Sequence, residues 1–482
     1  MTKLGGVALL LAALCSAGWC ADLARTGPIT VSPNGRFLQY EDGTPFFWLG
    51  DTAWLLFQKL DRAETVRYLD DRRRKGFNVV QAAALHDLAD RNAFGNAALI
   101  GNDPTRPNLT PGHDPAKPGE YDYWDHVDWV VDYAGSRGIF IAMLPTWGSV
   151  VKSGGVNLNN AAAYARFLAG RYGNRSNIIW VNGGDVRGDD HTEVWKALGQ
   201  TLKQADPGHL VSYHPFGRTQ SSTWFHSEPW LDFNMFQSGH RRYDQDDTPE
   251  RRGEDNWRFV IDDYAKAPPK PTVDAEPSYE NIPQGLHDPS QPYWTAADCR
   301  RYAYWSVFAG AFGHTYGDNA VMQMHKPGSG KGTYGVRNYW YEAMDDPGAG
   351  QMQYLKRLIL SRPLSERVPD QSLIAGENGV RYDYVIATRG KAYLFAYSYT
   401  GRPFRIRMGA ISGKQVRASW YSPRDGSVQP LGLVPNEGVR TLTPPGEPAP
   451  GNDWVLVLDD SSQRFPALGF RNRGPVSREP SP

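Results

Sequence analysis

Two acidic residues follow strand-like segments at positions suited to acid–base chemistry. Asp185 ends the segment IIWVNGGD, after two glycines, and Glu276 ends TVDAE. A pair of carboxyl groups can hydrolyse a glycosidic bond: one protonates the leaving oxygen, and the other attacks the anomeric carbon or activates water. The glycines before Asp185 permit a sharp turn and a close backbone approach. We therefore expect Asp185 to be the acid/base and Glu276 the nucleophile.

Other polar and aromatic residues lie at or just after the predicted strands, where they could contact a sugar. Aromatic rings stack on sugar faces, and polar groups form hydrogen bonds with hydroxyls. A carboxylate at a strand end can instead cap a helix or pair with a cation, and Asp51 is expected to shape or brace the site. The expected substrate-binding residues are Asp51, Trp54, Gln81, His86, Trp147, His214, Gln237, His240, His314 and Tyr316.

Metal and cofactor chemistry have no support in the motifs. The histidines near strand ends come from separate strands, and neither HxH nor HExxH spacing occurs. The chain also has no GxGxxG after a strand, no P-loop and no GxSxG. We predict no metal and no other cofactor.

The candidate carboxylates require a scaffold that brings strand ends together. Short apolar segments alternate with helical ones, which predicts an α/β fold, specifically a (β/α)₈ TIM barrel whose active site lies at the carboxyl ends of its strands. Asp185 then follows strand four and Glu276 follows strand seven, which face each other across the mouth. The predicted strands are Phe46–Leu49, Phe77–Ala82, Ile139–Leu144, Ile178–Val181, Leu210–Tyr213, Phe233–Phe236, Thr272–Ala275 and Phe312–Thr315.

The domain organisation changes after the barrel. With 482 residues the chain exceeds one hydrophobic core. Residues 25–362 are expected to form the barrel and residues 364–460 a smaller antiparallel β-sandwich, because strand-like alternation with glycine turns replaces the helical pattern. Residues 461–482 are rich in Pro, Arg and Ser and predict a disordered tail.

The N-terminus predicts export. Lys3 precedes a short apolar run and then small residues, which is typical of a signal peptide over residues 1–21. The run is too short to span a bilayer, and Trp19 before Cys20 disfavours a lipoprotein. We expect a secreted or periplasmic protein with no transmembrane segment, and a monomer. Outside this segment the remaining cysteine, Cys299, is expected to be a buried thiol. A net charge of zero argues against a nucleic-acid partner.

Four segments carry a family resemblance. FFWLGDTAW at 46–54, KGFNVVQ at 75–81, NIIWVNGGD at 177–185 and AEPSYE at 275–280 resemble the apiosidase-like barrel of glycoside hydrolase family 140. The segment from about residue 364 to 459 is similar to the small β-domain, labelled collagen-binding, that follows this barrel.

The resemblance implies removal of apiose-linked side chains from pectic polysaccharide such as rhamnogalacturonan II, with retention of configuration. It assigns acid/base to Asp185 and nucleophile to Glu276. The chain departs in VRGDD, where Asp189 and Asp190 follow the fourth-strand motif, and we expect substrate scope to vary in the long loop at 87–121. Two alternatives stay open: hydrolysis of another sugar, such as an arabinofuranoside or galactoside, and a non-catalytic carbohydrate- or matrix-binding protein.

Overall fold

A small antiparallel sheet precedes the barrel and closes its lower end. The computed structural model describes residues 25–117 and 119–468. The first three strands are β1 Ile29–Val31, β2 Leu38–Tyr40 and β3 Pro45–Phe46. The Phe46 ring packs edge-on against Phe140, at the start of the third barrel strand, with 5.3 Å between centroids. This three-stranded sheet therefore packs against the barrel at the start of its strands.

Each of the eight predicted barrel strands is present. They are β4 Trp48–Thr52, β5 Val79–Ala83, β6 Phe140–Leu144, β7 Ile178–Val186, β8 Val211–Pro215, β10 Asn234–Gln237, β11 Thr272–Asp274 and β12 Gly313–Tyr316. All pair in parallel, in the order β8-β7-β6-β5-β4-β12-β11-β10, with the short strand β9 Thr219–Gln220 antiparallel to β10. Two hydrogen bonds close the ring between β8 and β10: Asp232 N–H to the Val211 carbonyl at 2.9 Å and Ser212 Oγ to the Phe233 carbonyl at 2.7 Å.

Helices surround the barrel and form the connections between its strands. They are α1 Leu56–Lys59, α2 Arg62–Arg74, α3 Tyr123–Ser136, α4 Gly148–Lys152, α5 Ala161–Tyr172, α6 Thr192–Ala205, α7 Ser222–Phe225, α8 Trp257–Tyr264, α9 Ala296–Phe308, α10 Asn319–Met322, α11 Trp340–Ala343 and α12 Pro347–Leu360. Capping boxes begin α2 at Asp61 and α3 at Asp122, which satisfies backbone N–H groups of their first turns. Among the described residues no helix combines the length and hydropathy of a membrane span.

The C-terminal strands form a six-stranded antiparallel sheet, ordered β13-β14-β15-β20-β17-β18, and a two-stranded sheet, β16-β19. They are β13 Val368–Pro369, β14 Ile386–Arg389, β15 Tyr393–Ser398, β16 Phe404–Arg407, β17 Gln415–Tyr421, β18 Val428–Pro435, β19 Val439–Leu442 and β20 Trp454–Asp460. Leu394 and Leu456 pack in a core of this domain, whereas Phe395 and Val457 join a core shared with the barrel. Both faces of the central strands β15 and β20 are therefore buried, which explains their nearly continuous apolar runs.

Buried ion pairs and stacked rings join the β-domain to the barrel. Arg300 of α9 contacts both carboxylate oxygens of Asp453 at 2.8 and 2.9 Å. The Trp257 and Tyr384 rings stack with centroids 4.3 Å apart. Arg362 lies over the Phe465 ring at 4.6 Å. Residues 461–468, the start of the tail expected to be disordered, are among the described residues, and Phe465 contacts Arg362 there. The rest of the tail and the signal segment lie outside the described residues.

Candidate active site

A cleft of about 500 Å³ opens at the carboxyl ends of the barrel strands. Both predicted catalytic residues, Asp185 from β7 and Glu276 after β11, line this cleft. They are its sole acidic lining residues in the described part of the chain. The two carboxylates therefore share one cavity and act on each other electrostatically.

The backbone around Asp185 is irregular, and its geometry requires the two preceding glycines. The ladder between β7 and β8 shifts register between Gly183 and Val186, so Asp185 lies in a bulge inside β7 rather than after a shorter strand as predicted. Gly183 has φ +89°, and a Cβ there would lie 2.3 Å from the His214 carbonyl oxygen. Asp185 itself has φ +53°, an unfavourable conformation for a non-glycine residue. The bulge turns its side chain toward the open cleft.

Glu276 is held from both sides by histidines. His240 Nε2 lies 3.0 Å from Oε1, and His214 Nε2 lies 3.3 Å from Oε2. The second contact is close enough for an ion pair, but its angles fall short of a hydrogen bond, and neither atom has another partner. Below Glu276, the buried Asp274 carboxylate accepts from Ser238 Oγ at 2.6 Å and Asn256 Nδ2 at 3.0 Å. Asp274 thus supports the strand end.

The environments of the two carboxyl groups separate their proton affinities. Removal from bulk water by the cleft walls, together with the negative charge of Glu276, raises the pKa of Asp185 to about 6, although its side chain remains accessible within the cleft. Burial alone would raise the pKa of Glu276, but the contacts of His214 and His240 outweigh this effect and lower it to about 2. The geometry thus favours a protonated Asp185 beside an ionised Glu276, the division of roles that acid and nucleophile require.

Five of the predicted substrate-binding residues line the cleft. They are Trp54, His86, Trp147, Gln237 and His240. The Trp54 and Trp147 rings lie 5.0 Å apart, and the His86 ring stacks on Trp147 at 5.2 Å. This aromatic wall offers flat surfaces of the kind that pack against sugar rings.

The other five do not line the cleft. Asp51 is inside β4 rather than after it, and its carboxylate faces helix α2, where it accepts from Tyr68 Oη at 2.7 Å and Arg72 Nη1 at 3.1 Å. Gln81 donates to the Ala275 carbonyl at 2.8 Å. His314 is fully buried, and this burial lowers its pKa to about 3.

Two of these residues face neighbouring carboxylates. Tyr316 donates to Glu280 Oε2 at 2.7 Å. His214 is fully buried and lies behind Glu276. None of these five residues is among the cleft-lining side chains. Their side chains point between the strands and helices or into the barrel, so their expected role in binding sugar stays a prediction.

Several cleft residues were not predicted. Phe216 and Arg218 follow β8, Arg241 follows β10, and Tyr279 and Tyr334 lie beyond β11 and β12. Phe216 remains 43% exposed although it is a large apolar side chain. Phe216 lies three residues beyond the predicted end of strand five, and an aromatic residue so close to a strand end is the signal in the sequence that points to it.

The loop at 87–121, expected to vary substrate scope, contributes no residue to the lining of the cleft. Asp122 accepts from Thr110 N–H at 2.8 Å, and the Ala98 carbonyl accepts from Trp124 Nε1 at 2.9 Å. These contacts hold the loop against helix α3. Across residues 25–117 and 119–468, no three His, Cys, Asp or Glu side chains are arranged to bind one metal ion.

The barrel and its two-carboxylate cleft define the chain as a glycoside hydrolase, and comparisons with known proteins agree. The chain belongs to the apiosidase-like family: the model of that catalytic domain matches residues 32–366. A second model, the collagen-binding-like domain of a collagenase, matches residues 368–459. No curated protein matches the sequence.

Solved structures support the same class. One glycoside hydrolase shares 48% sequence identity over 91% of this chain and 98% of its own, with a TM-score of 0.85. A structure from Bacteroides vulgatus, described as a glycoside hydrolase family 5 protein, also shares 48% identity, over 91% of this chain and 94% of its own, with a TM-score of 0.86. A further glycoside hydrolase described from that organism shares the fold at 15% identity, with a TM-score of 0.62 over 90% of this chain and 83% of its own.

Proposed function

We propose that this glycoside hydrolase is a retaining apiosidase that cleaves apiose-linked side chains of plant pectic polysaccharide. The observation that carries the proposal is the cleft shared by Asp185 and Glu276, in a chain of the apiosidase-like family. The raised pKa of Asp185 and the lowered pKa of Glu276 support their assignment as acid and nucleophile.

The proposed reaction has two steps. In the first, a Glu276 oxygen attacks the anomeric carbon, the glycosidic C–O bond breaks, and Asp185 transfers its proton to the leaving oxygen. Esterification removes the negative charge from Glu276, which lowers the proton affinity of Asp185. In the second, Asp185 removes a proton from water, the water oxygen attacks the anomeric carbon, and the ester bond to Glu276 breaks. Both residues return to their starting states.

The charge of the cleft wall supports an acidic polymer as substrate. Lys59, Arg218 and Arg241 line the cleft. Arg218 has a buried Nε without a hydrogen-bond partner and lies 3.5 Å from Asp246 and 3.6 Å from Asp247. A pectic backbone carries uronate carboxylates, which guanidinium groups recognise through charge-assisted hydrogen bonds. Phe216 beside Arg218 adds an exposed apolar surface for a sugar ring.

The setting of the enzyme is part of the proposal. Residues 1–21 support export to the periplasm or the medium, where polysaccharide is met, and these residues lie outside the described part of the chain. Residues 25–362 form the proposed catalytic domain and residues 364–460 a domain that stabilises it. The Arg300–Asp453 pair and the Trp257–Tyr384 stack support this role over collagen binding.

A substrate panel tests the proposal. The purified protein would be assayed on rhamnogalacturonan II oligosaccharides and on aryl apiosides, arabinofuranosides and galactosides, with Glu276→Gln as a matched inactive control. We expect release of apiose-linked chains by the wild type and no turnover by the variant. Turnover of arabinofuranosides or galactosides alone would contradict the apiose assignment, and a Glu276→Gln variant within tenfold of wild type would remove the nucleophile role.

A further inference from the structure

The two histidines at Glu276 are each contacted by a backbone amide on the opposite side of the ring. The Asp185 N–H donates to His214 Nδ1 at 3.5 Å, and the Tyr279 N–H donates to His240 Nδ1 at 3.4 Å. An amide N–H can donate only to a ring nitrogen that has a free lone pair. Each Nδ1 is therefore the acceptor, and the ring proton lies on Nε2, which faces the carboxylate.

The same ring nitrogens reach both oxygens of Glu276. His240 Nε2 lies 3.0 Å from Oε1, and His214 Nε2 lies 3.3 Å from Oε2. Both rings are buried, with 4% and 0% of their surfaces exposed. Burial leaves little room for a sugar hydroxyl between ring and carboxylate, so these histidines act on the nucleophile rather than on the substrate.

We propose that His214 and His240 are positioning residues that act as uncharged imidazoles, each fixed in its Nε2–H tautomer. His240 donates a hydrogen bond to Glu276 Oε1, and His214 directs its Nε2–H toward Oε2 from 3.3 Å. These two N–H groups orient the carboxylate toward the anomeric carbon and stabilise its ionised form. The inference rests on the proposed nucleophile role of Glu276.

His214 also connects the two catalytic residues. Its Nδ1 accepts from the backbone of Asp185, at the left-handed residue of the β7 bulge, and its Nε2 faces Glu276. One rigid ring therefore sets the separation of the acid/base and the nucleophile. A retaining mechanism needs that separation near 5–5.5 Å, so displacement of this ring should affect both steps of the reaction.

The first test reads the tautomers directly and needs no substrate. Protein labelled with ¹⁵N-histidine would be studied by long-range ¹H–¹⁵N NMR at pH 7, with His214→Gln and His240→Gln spectra to assign the two rings. We expect both rings to show a protonated Nε2 and an unprotonated Nδ1. A protonated Nδ1 in either ring, as neutral tautomer or imidazolium, would overturn the proposal even if the enzyme proves to act on another sugar.

The second test separates hydrogen bonding from charge. Glutamine can donate from the position of Nε2 but carries no charge, whereas phenylalanine keeps the ring shape without a donor. We expect His240→Gln to retain kcat within about tenfold, and His240→Phe to lose at least about 100-fold in kcat with little change in KM.

The acid limb of the pH–rate profile provides a further readout. The charged and titratable groups facing Glu276 are Asp185, His214, His240, Tyr279 and Tyr334. Removing one donor should move the acid limb to higher pH in His240→Phe but much less in His240→Gln. Equal losses in both variants would show that charge matters, and a rise in KM alone would show that the ring binds substrate; either result contradicts the proposal.

Discussion

Replacing Gly183 with alanine would insert a methyl group into the ladder between β7 and β8. The new Cβ would lie 2.3 Å from the His214 carbonyl oxygen and 3.0 Å from the Tyr213 ring. Carbon–oxygen contacts in proteins are about 3.3–3.6 Å, so one strand must move by about 1 Å. The obstacle is backbone, which cannot rotate away. The same shift displaces Asp185, two residues further along β7, and His214.

The expected magnitude has two parts. A non-glycine residue at φ +89° costs about 1–2 kcal/mol, and overpacking costs about 1–3 kcal/mol, so the free energy of unfolding should fall by about 2–5 kcal/mol. A displacement of about 1 Å at a catalytic group costs about 100-fold in rate. Gly183→Ala should therefore lose at least about 100-fold in kcat even at temperatures where it remains folded.

The assay compares two glycine variants by urea unfolding and by kcat at a temperature where both are native. Gly170, in helix α5, is exposed and has no heavy atom within 4 Å of the added Cβ, so Gly170→Ala should gain up to about 1 kcal/mol and retain full activity. The reasoning is refuted if Gly183→Ala matches this control in stability and stays within threefold of wild-type kcat.

Three further predictions follow from charged residues. Because burial in the cleft and the charge of Glu276 raise the pKa of Asp185 to about 6, kcat/KM should fall tenfold per pH unit above that value. Asp185→Ala should abolish this basic limb and slow the hydrolysis of substrates with poor leaving groups far more than that of activated aryl glycosides. An unchanged limb would exclude Asp185 as the acid. Asp453→Asn leaves the buried Arg300 without its anion and should lower the free energy of urea unfolding by about 3–5 kcal/mol. The matched Asp132→Asn, at an exposed partner of Arg175, should lower it by under about 1 kcal/mol. Equal losses would contradict a stabilising interface between the domains. Burial raises the pKa of Glu280 to about 7, so protonated Glu280 stabilises the folded state by about 3 kcal/mol. This stabilisation is present in full below pH 4.5 and is lost as pH rises through 7. Between pH 5 and 8 the Tm of Glu280→Gln should therefore fall less than that of wild type, and an equal fall would contradict this interpretation.

Strand positions could be predicted from the sequence, but the directions of side chains within them could not. Asp185 and Glu276 were found because a carboxylate after an apolar strand lies at the barrel mouth whatever the exact strand length. His214 lies in a strand buried on both faces, where alternation gives no signal of which side faces the cleft. Asp51 was placed after its strand because the apolar run ends at Leu49, but β4 continues to Thr52 through side chains paired with α2.

Two other differences have similar physical causes. The individual strands of the β-domain are harder to locate, because β18 contains Pro430 and Pro435, residues typical of turns. A proline-containing strand is tolerated at the edge of a sheet, where β18 lies. Tyr334 comes from a glycine-rich segment beyond the last barrel strand, and only the folded chain brings it to the cleft. Long-range packing, which no local pattern encodes, decided both.

The stereochemistry of the first-formed sugar tests the central claim, a double displacement through Glu276, most directly. Proton NMR would follow hydrolysis of an aryl glycoside of defined anomeric configuration, with spectra recorded before mutarotation. We predict that the released sugar first appears with the configuration of the substrate, because two inversions at the anomeric carbon cancel. First appearance of the opposite anomer would contradict a covalent intermediate on Glu276, even if both Asp185 and Glu276 proved essential.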